Sequence, residues 1–93
     1  MRWKLFATLA ETADEGEFDV TVTANELTLR DAFDALLSAQ PALESEVLDE
    51  DGQLHDHIRL LHEGTDPFHD SDGWDTMVSA SDELALFPPV SGG

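Results

Sequence analysis

Val90, Ser91, Gly92 and Gly93 close the sequence, directly after Pro88 and Pro89. A carboxyl group carried on glycine has no Cβ beside it. Its carbonyl carbon is open to attack, and the backbone adopts φ values closed to other residues. A carboxylate is a poor acyl donor, because oxide is a bad leaving group, so an amide or a thioacid forms at Gly93 only after activation. The two prolines fix φ and pre-extend the chain, which lowers the ordering cost of threading it into another protein. At no more than about 3.5 Å per residue, the segment from Pro88 to Gly93 reaches roughly 20 Å. Many domains simply end in small residues. Here a stiff Pro-Pro spacer separates the glycines from an apolar strand, which sets this tail apart.

Other residues with chemical potential carry weaker signals. The chain has no cysteine, so disulfides, thiolate metal sites and a cysteine nucleophile are excluded, and any sulfur must come from elsewhere. His55, His57, His62 and His69 match no structural zinc spacing. His55 and His57 share one face of an expected strand, and all four histidines read as solvated polar positions, so no metal site is expected. Asp49-Glu50-Asp51-Gly52 lacks the full ligand set and closing glutamate of a calcium loop and reads as a turn. Lys4 is the single lysine. It is the one internal acceptor if copies are joined to each other, against the simpler reading of an ordinary edge charge.

Composition narrows the role. There are 21 acidic residues against 4 basic ones, a net charge of −17. Nucleic-acid binding needs clustered Lys and Arg and is not expected, nor is binding to an anionic membrane. The acids are spread along the chain with no acidic tail, which fits a salt-rich cytosol better than a basic partner or nucleic-acid mimicry. No signal peptide and no run near the ~20 apolar residues of a membrane span is visible, which points to the cytoplasm. Ninety-three residues make one domain with a modest core. That size favours a carrier, binding or subunit role over a self-sufficient enzyme.

The elements that must position the tail follow from periodicity. Trp3, Leu5, Ala7 and Leu9 alternate with Lys4, Phe6 and Thr8, so Arg2 to Leu9 reads as a strand. Glu11 to Gly16 reads as a turn, and Phe18, Val20 and Val22 mark a second strand that completes a hairpin. Thr28 caps a helix with an apolar stripe of Leu29, Ala32, Phe33, Leu36 and Leu37, which Pro41 ends. Ala42 to Leu48 suggests a short helical turn. Leu54 to Leu61 reads as a strand. Gly64 to Gly73 reads as a surface loop anchored by Trp74 and Met77, and Glu83 to Phe87 as the last strand. Trp3 and Trp74 read as core anchors rather than ligand stackers. One helix on one mixed sheet is an α+β layer with an open sheet face. If Leu84 and Leu86 face the helix, then Phe87, Phe6 and Leu61 share the open side as an apolar patch suited to a partner. Burial of that patch under the long loop is the alternative.

Phe87-Pro88-Pro89-Val90-Ser91-Gly92-Gly93 closely resembles the end of the small subunit of molybdopterin synthase and of the small archaeal ubiquitin-like modifiers (the MoaD/ThiS sulfur-carrier superfamily). Trp3 to Ala7 resembles that family's first strand. Thr28 to Leu37 with Gln40-Pro41-Ala42-Leu43 resembles its helix, and Asp82 to Pro89 its last strand. Two departures are Ser81, where the family usually has glycine, and a longer Thr65–Thr76 loop.

The resemblance implies a β-grasp (ubiquitin-like) fold over residues 1–88, with a mixed sheet of four to five strands, and a flexible tail over 89–93. It implies that an E1-like enzyme uses ATP to adenylate Gly93. The acyl group then passes to a target lysine as an isopeptide, or becomes a thiocarboxylate for molybdopterin or tRNA sulfur transfer. Pro88, Pro89, Val90, Ser91 and Gly92 would be the recognised tail. The implied partners are the E1-like enzyme, target proteins and the molybdopterin synthase large subunit. No cofactor is held permanently, and the chain itself is not an enzyme. The rival expectation is a β-grasp interaction domain or permanent subunit without tail chemistry.

Overall fold

The computed structural model describes residues 1–21, 26–55 and 58–88. Alternation builds its sheet. Strand β1 (Arg2–Leu5) buries Trp3 and Leu5, and β6 (Glu83–Phe87) buries Leu84 and Leu86. The two run parallel, Trp3 opposite Leu84 and Leu5 opposite Leu86. β2 (Glu17–Asp19) pairs antiparallel with β1, and β4 (Arg59–His62) pairs antiparallel with β6. The result is a mixed four-stranded sheet in the order β2-β1-β6-β4, the β-grasp arrangement that the resemblance implies. A parallel β1–β6 pair needs a crossover between its strands, and the helices and remaining strands supply it.

Helix α2 (Leu29–Ala39) covers one face. At its start the Asp31 N–H donates to Thr28 Oγ1 at 3.2 Å, and the Thr28 N–H donates to Asp31 Oδ2 at 3.1 Å. This reciprocal box satisfies two orphan donors of the first turn. Leu29, Ala32, Phe33 and Leu36 are buried on the inner stripe, each large apolar side chain contributing roughly 1.5–3 kcal/mol. The edge of Phe33 meets Trp3, with ring centroids 6.4 Å apart, which ties helix to sheet. α2 stops before Pro41, which opens a 3-10 turn, Pro41–Leu43. One further helical turn, α3 (Glu44–Val47), follows. Leu43 and Val47 complete the core. In the following turn, Asp49 Oδ1 accepts from the N–H groups of Asp51 and Gln53 at 2.9 and 3.0 Å.

Several expectations give way to tertiary pairing. The first strand ends at Leu5, where its ladder with Leu86 ends. Residues expected to extend it and to form the Glu11–Gly16 turn instead make helix α1 (Thr8–Ala13), which buries Leu9 and Ala13. Positions Leu5, Leu9 and Ala13 fit a period near 4 as well as a period of 2, so alternation alone misread them. The backbone turns the corner at Ala7, with φ 51°. Of the expected Phe18–Thr23 strand, the ladder covers Glu17–Asp19, Val20 is buried, and Val22 and Thr23 lie outside the described residues.

The expected Leu54–Leu61 strand starts only at Arg59. Leu54 makes an isolated bridge to Leu48 instead. His55 therefore lies outside β4, with its N–H bonded to the Val47 carbonyl, and His57 lies outside the described residues. The expected loop carries the single turn α4 (Pro67–Asp70), capped by Asp66, and a 3-10 turn, Gly73–Asp75. Trp74 packs on Phe33 with centroids 5.0 Å apart. Met77 does not anchor anything: it is 55% exposed, while Thr76 and Val78 take the inward positions. Met77 and Val78 form β5, which pairs with β3 (Leu27–Thr28) in a separate two-stranded ladder. No helix among the described residues is long and apolar enough to cross a membrane.

Candidate functional site

With α2 on one side, the outward residues of the four-stranded sheet form its open face. The registers order them in rows. Leu61 lies opposite Ala85, Ala85 opposite Lys4, and Lys4 opposite Glu17. In the next row Arg59 lies opposite Phe87. Phe6, just past β1, stacks on Phe87 with ring centroids 4.4 Å apart and planes inclined by 7°. Phe6 is 40% exposed, and Phe87 and Leu61 are half-buried. Phe6, Leu61 and Phe87 thus share the open side while Leu5, Leu60 and Leu86 are buried. A two-residue period permits no other division once the inner face is fixed.

The sequence-predicted residues fall around the end of β6. Phe87 is its last residue, and Pro88, which follows, is half-buried. Pro89, Val90, Ser91, Gly92 and Gly93 lie outside the described residues. Proline has no N–H to continue the ladder, so strand pairing is not extended through Pro88. Lys4 is not at an edge: it sits on the interior strand β1, with Nζ 3.0 Å from Glu83 Oε1.

Sequence reasoning passed over the pair that holds the start of β6. His62 Nε2 lies 2.7 Å from Asp82 Oδ2, and the Ser79 N–H donates to the same oxygen at 2.8 Å. The Glu83 N–H donates to Glu63 Oε1 at 2.9 Å. These bonds join the turn before β6 to the end of β4. Burial alone would raise the Asp82 pKa, but the bonds from His62 and Ser79 outweigh it and hold the carboxyl below its ordinary range. Aspartate in a Ser-Ala-Ser-Asp turn is the one signal in the sequence; its histidine partner lies 20 residues away and leaves no local trace.

Comparison with known proteins decides the family. The ThiS family model matches residues 3–93. The chain belongs to the ThiS family. Small archaeal modifier protein 1 of Haloferax volcanii is 50% identical over 93 residues, covering 100% of both chains. The crystal structure of that Haloferax volcanii protein superposes with a TM-score of 0.87 at 49% identity, over 100% of this chain and 98% of the other. The solution structure of small archaeal modifier protein 1 from Methanosarcina acetivorans superposes at 0.77 with 32% identity, over 99% and 94% of the two chains. The fold is the β-grasp of these proteins.

For a ThiS-family chain the sheet geometry has a direct consequence. The strand that carries Phe87 on the open face also leads into the Pro-Pro segment. Any protein that grips Phe6 and Phe87 therefore holds the root of the tail. A second concavity, a groove of about 630 Å³, is bordered by Leu54, His55, Ile58, Arg59, Phe68 and Trp74. It includes Asp66, Phe68 and Trp74 of the Thr65–Thr76 segment.

Proposed function

We propose that this chain is a ubiquitin-like protein modifier and sulfur carrier whose Gly93 carboxyl group is the reacting centre. The observation that carries the reading is the family match, which runs through Gly93, together with full-length similarity to a small archaeal modifier protein. An E1-like partner activates the tail. A Gly93 carboxylate oxygen attacks the α-phosphorus of ATP, and pyrophosphate leaves. In the acyl-adenylate AMP is a good leaving group. A lysine amine of a target protein then attacks the carbonyl carbon, loses a proton and expels AMP, which leaves an isopeptide bond. Attack by hydrosulfide on the same carbon expels AMP, loses a proton and leaves a thiocarboxylate that serves molybdopterin or tRNA sulfur transfer, with the molybdopterin synthase large subunit as a partner in the first case.

ATP belongs to the activating enzyme, and the chain contributes no catalytic group of its own. Gly92 and Gly93 thread a narrow channel and leave the carbonyl unhindered. Pro88, Pro89, Val90 and Ser91 are read as the recognised tail, and Phe6, Leu61 and Phe87 are the grip, with apolar area suited to a partner. Lys4 is the one internal lysine available for joining copies, and its ion pair with Glu83 must break before it can attack.

The test is the intact mass of the protein purified from its native cells, with a search for Gly-Gly remnants on lysines of other proteins. The expected result is a species in which one oxygen is replaced by sulfur, or higher-mass conjugates, both lost when the chain stops at Val90. A chain stopping at Val90 that supports function as well as the full one would refute the proposal and favour a non-covalent subunit.

A further inference from the structure

The open sheet face differs in charge from the rest of the molecule. Of the four basic residues in the sequence, three point outward from this face: Arg2 and Lys4 on β1, and Arg59 on β4. The strand carboxylates on the same face are Glu17, Asp19 and Glu83. With Asp66 beside Arg59 and Glu63 beside Glu83, the three cations meet five carboxylates, so most of the net charge of −17 lies elsewhere. An acidic surface therefore meets less repulsion at this face than the composition of the chain imposes on average.

Within the face the three cations are not equivalent. Arg2 is held by Glu17 at 2.9 Å and Asp19 at 3.3 Å, and Lys4 by Glu83 at 3.0 Å. Arg59 meets Asp66 at 3.9 Å, the outer limit of an ion pair, and its side chain is 68% exposed. Arg59 also lies directly opposite Phe87, the last strand residue before the tail. A guanidinium on a sheet row that ends in two stacked phenyl rings offers a forked donor beside an apolar surface. That combination fits a carboxylate at the margin of an apolar patch.

We propose that Arg59 is a docking residue, which receives a carboxylate of the activating protein while an adjoining apolar surface of that protein covers Phe6 and Phe87. The inference rests on the function proposed above and names the chemistry of its partner surface. The apolar contact and the Arg59 contact both contribute to association, and both lie beside the root of the tail.

The test uses the full chain and the purified E1-like protein of the same cells, with calorimetric binding and ATP–pyrophosphate exchange as paired readouts. Arg59→Glu should weaken binding and raise KM about tenfold or more, with kcat kept within about twofold, since an interfacial charge reversal acts on association. Arg59→Lys should fall between Arg59→Glu and wild type, because it keeps the charge and loses the fork. Asp51→Lys, an equal change of two charge units on an exposed turn away from the sheet, should leave both readouts within about twofold. Thermal melts check that each variant folds.

Wild-type affinity for Arg59→Glu overturns the proposal, as does a gain in affinity with Asp51→Lys as large as the loss with Arg59→Glu, which would mark a general field effect. Self-association of the wild-type chain that Arg59→Glu abolishes would make a second copy the occupant and overturn it too. Binding with no exchange, or full exchange by a chain stopping at Val90, overturns the function proposed above. It leaves the Arg59 contact to be judged on affinity alone.

Discussion

Phe6 and Phe87 lie 4.4 Å apart and nearly parallel on the open face, and a double-mutant cycle measures what that contact is worth. Each ring keeps part of its area in solvent, with Phe6 40% exposed, so each single Phe→Ala change should cost less than the roughly 3–5 kcal/mol of a fully buried phenylalanine. About 1–2 kcal/mol apiece is expected from the partial burial. Aromatic pairing adds about 0.5–1.5 kcal/mol beyond burial, and in the cycle this is the amount by which the double mutant is less destabilised than the two singles summed. In a domain of this size each 1 kcal/mol moves Tm by roughly 4–8 °C, so the coupling is readable by denaturant titration followed by tryptophan fluorescence, in molar salt. The same four proteins should also fall in partner affinity, with losses of about 2 kcal/mol or more if the rings are the centre of the interface. A coupling energy within about 0.3 kcal/mol of zero would refute the stacked arrangement. Coupling intact with partner affinity unchanged would refute the grip.

Three further outcomes are expected. Asp82 has a lowered pKa in the folded state, so the unfolded state binds more protons as pH falls, and the Asp82 contribution is present above its unfolded pKa and lost as pH falls below about 4. Asp82→Asn should cost about 1–2 kcal/mol at neutral pH, with the gap from wild type closing in acid; a gap independent of pH would contradict this. Thr28→Ala removes one half of the capping box and should cost about 1 kcal/mol, while Thr28→Ser should be near neutral; equal losses would show that the hydroxyl is not the cause. With a net charge of −17, Tm should rise between about 0.1 M and 2 M KCl as repulsion is screened, and a flat profile would rule out self-repulsion as a determinant of stability.

Much of the fold was legible because it rests on local periodicity. The α2 stripe and its Thr28 cap, the Leu84/Leu86 alternation and the stop at Pro41 depend on spacing that any window of the sequence contains. The division of Phe6, Leu61 and Phe87 from Leu5, Leu60 and Leu86 was legible for the same reason. What went astray depended on partners. Strand β1 ends where β6 ceases to pair with it, and Leu9 is then free to serve α1. Leu54 bridges to Leu48 and not to β6. Met77 points outward because β5 pairs with β3 and gives the inward positions to its neighbours, Thr76 and Val78.

The chemistry proposed for the tail is a property of residue type. Glycine leaves a carbonyl unhindered and proline fixes φ whatever the rest of the chain does, so the sequence by itself carries that proposal. Where the tail begins, and what surrounds its root, was decided by pairing between residues far apart. Parallel contact of β1 with β6 brings Phe6 onto Phe87, and antiparallel contact of β4 with β6 sets Arg59 beside them. Hydrogen-bond registers between distant segments are fixed by closing the whole sheet over one core, and no local window of sequence contains that constraint.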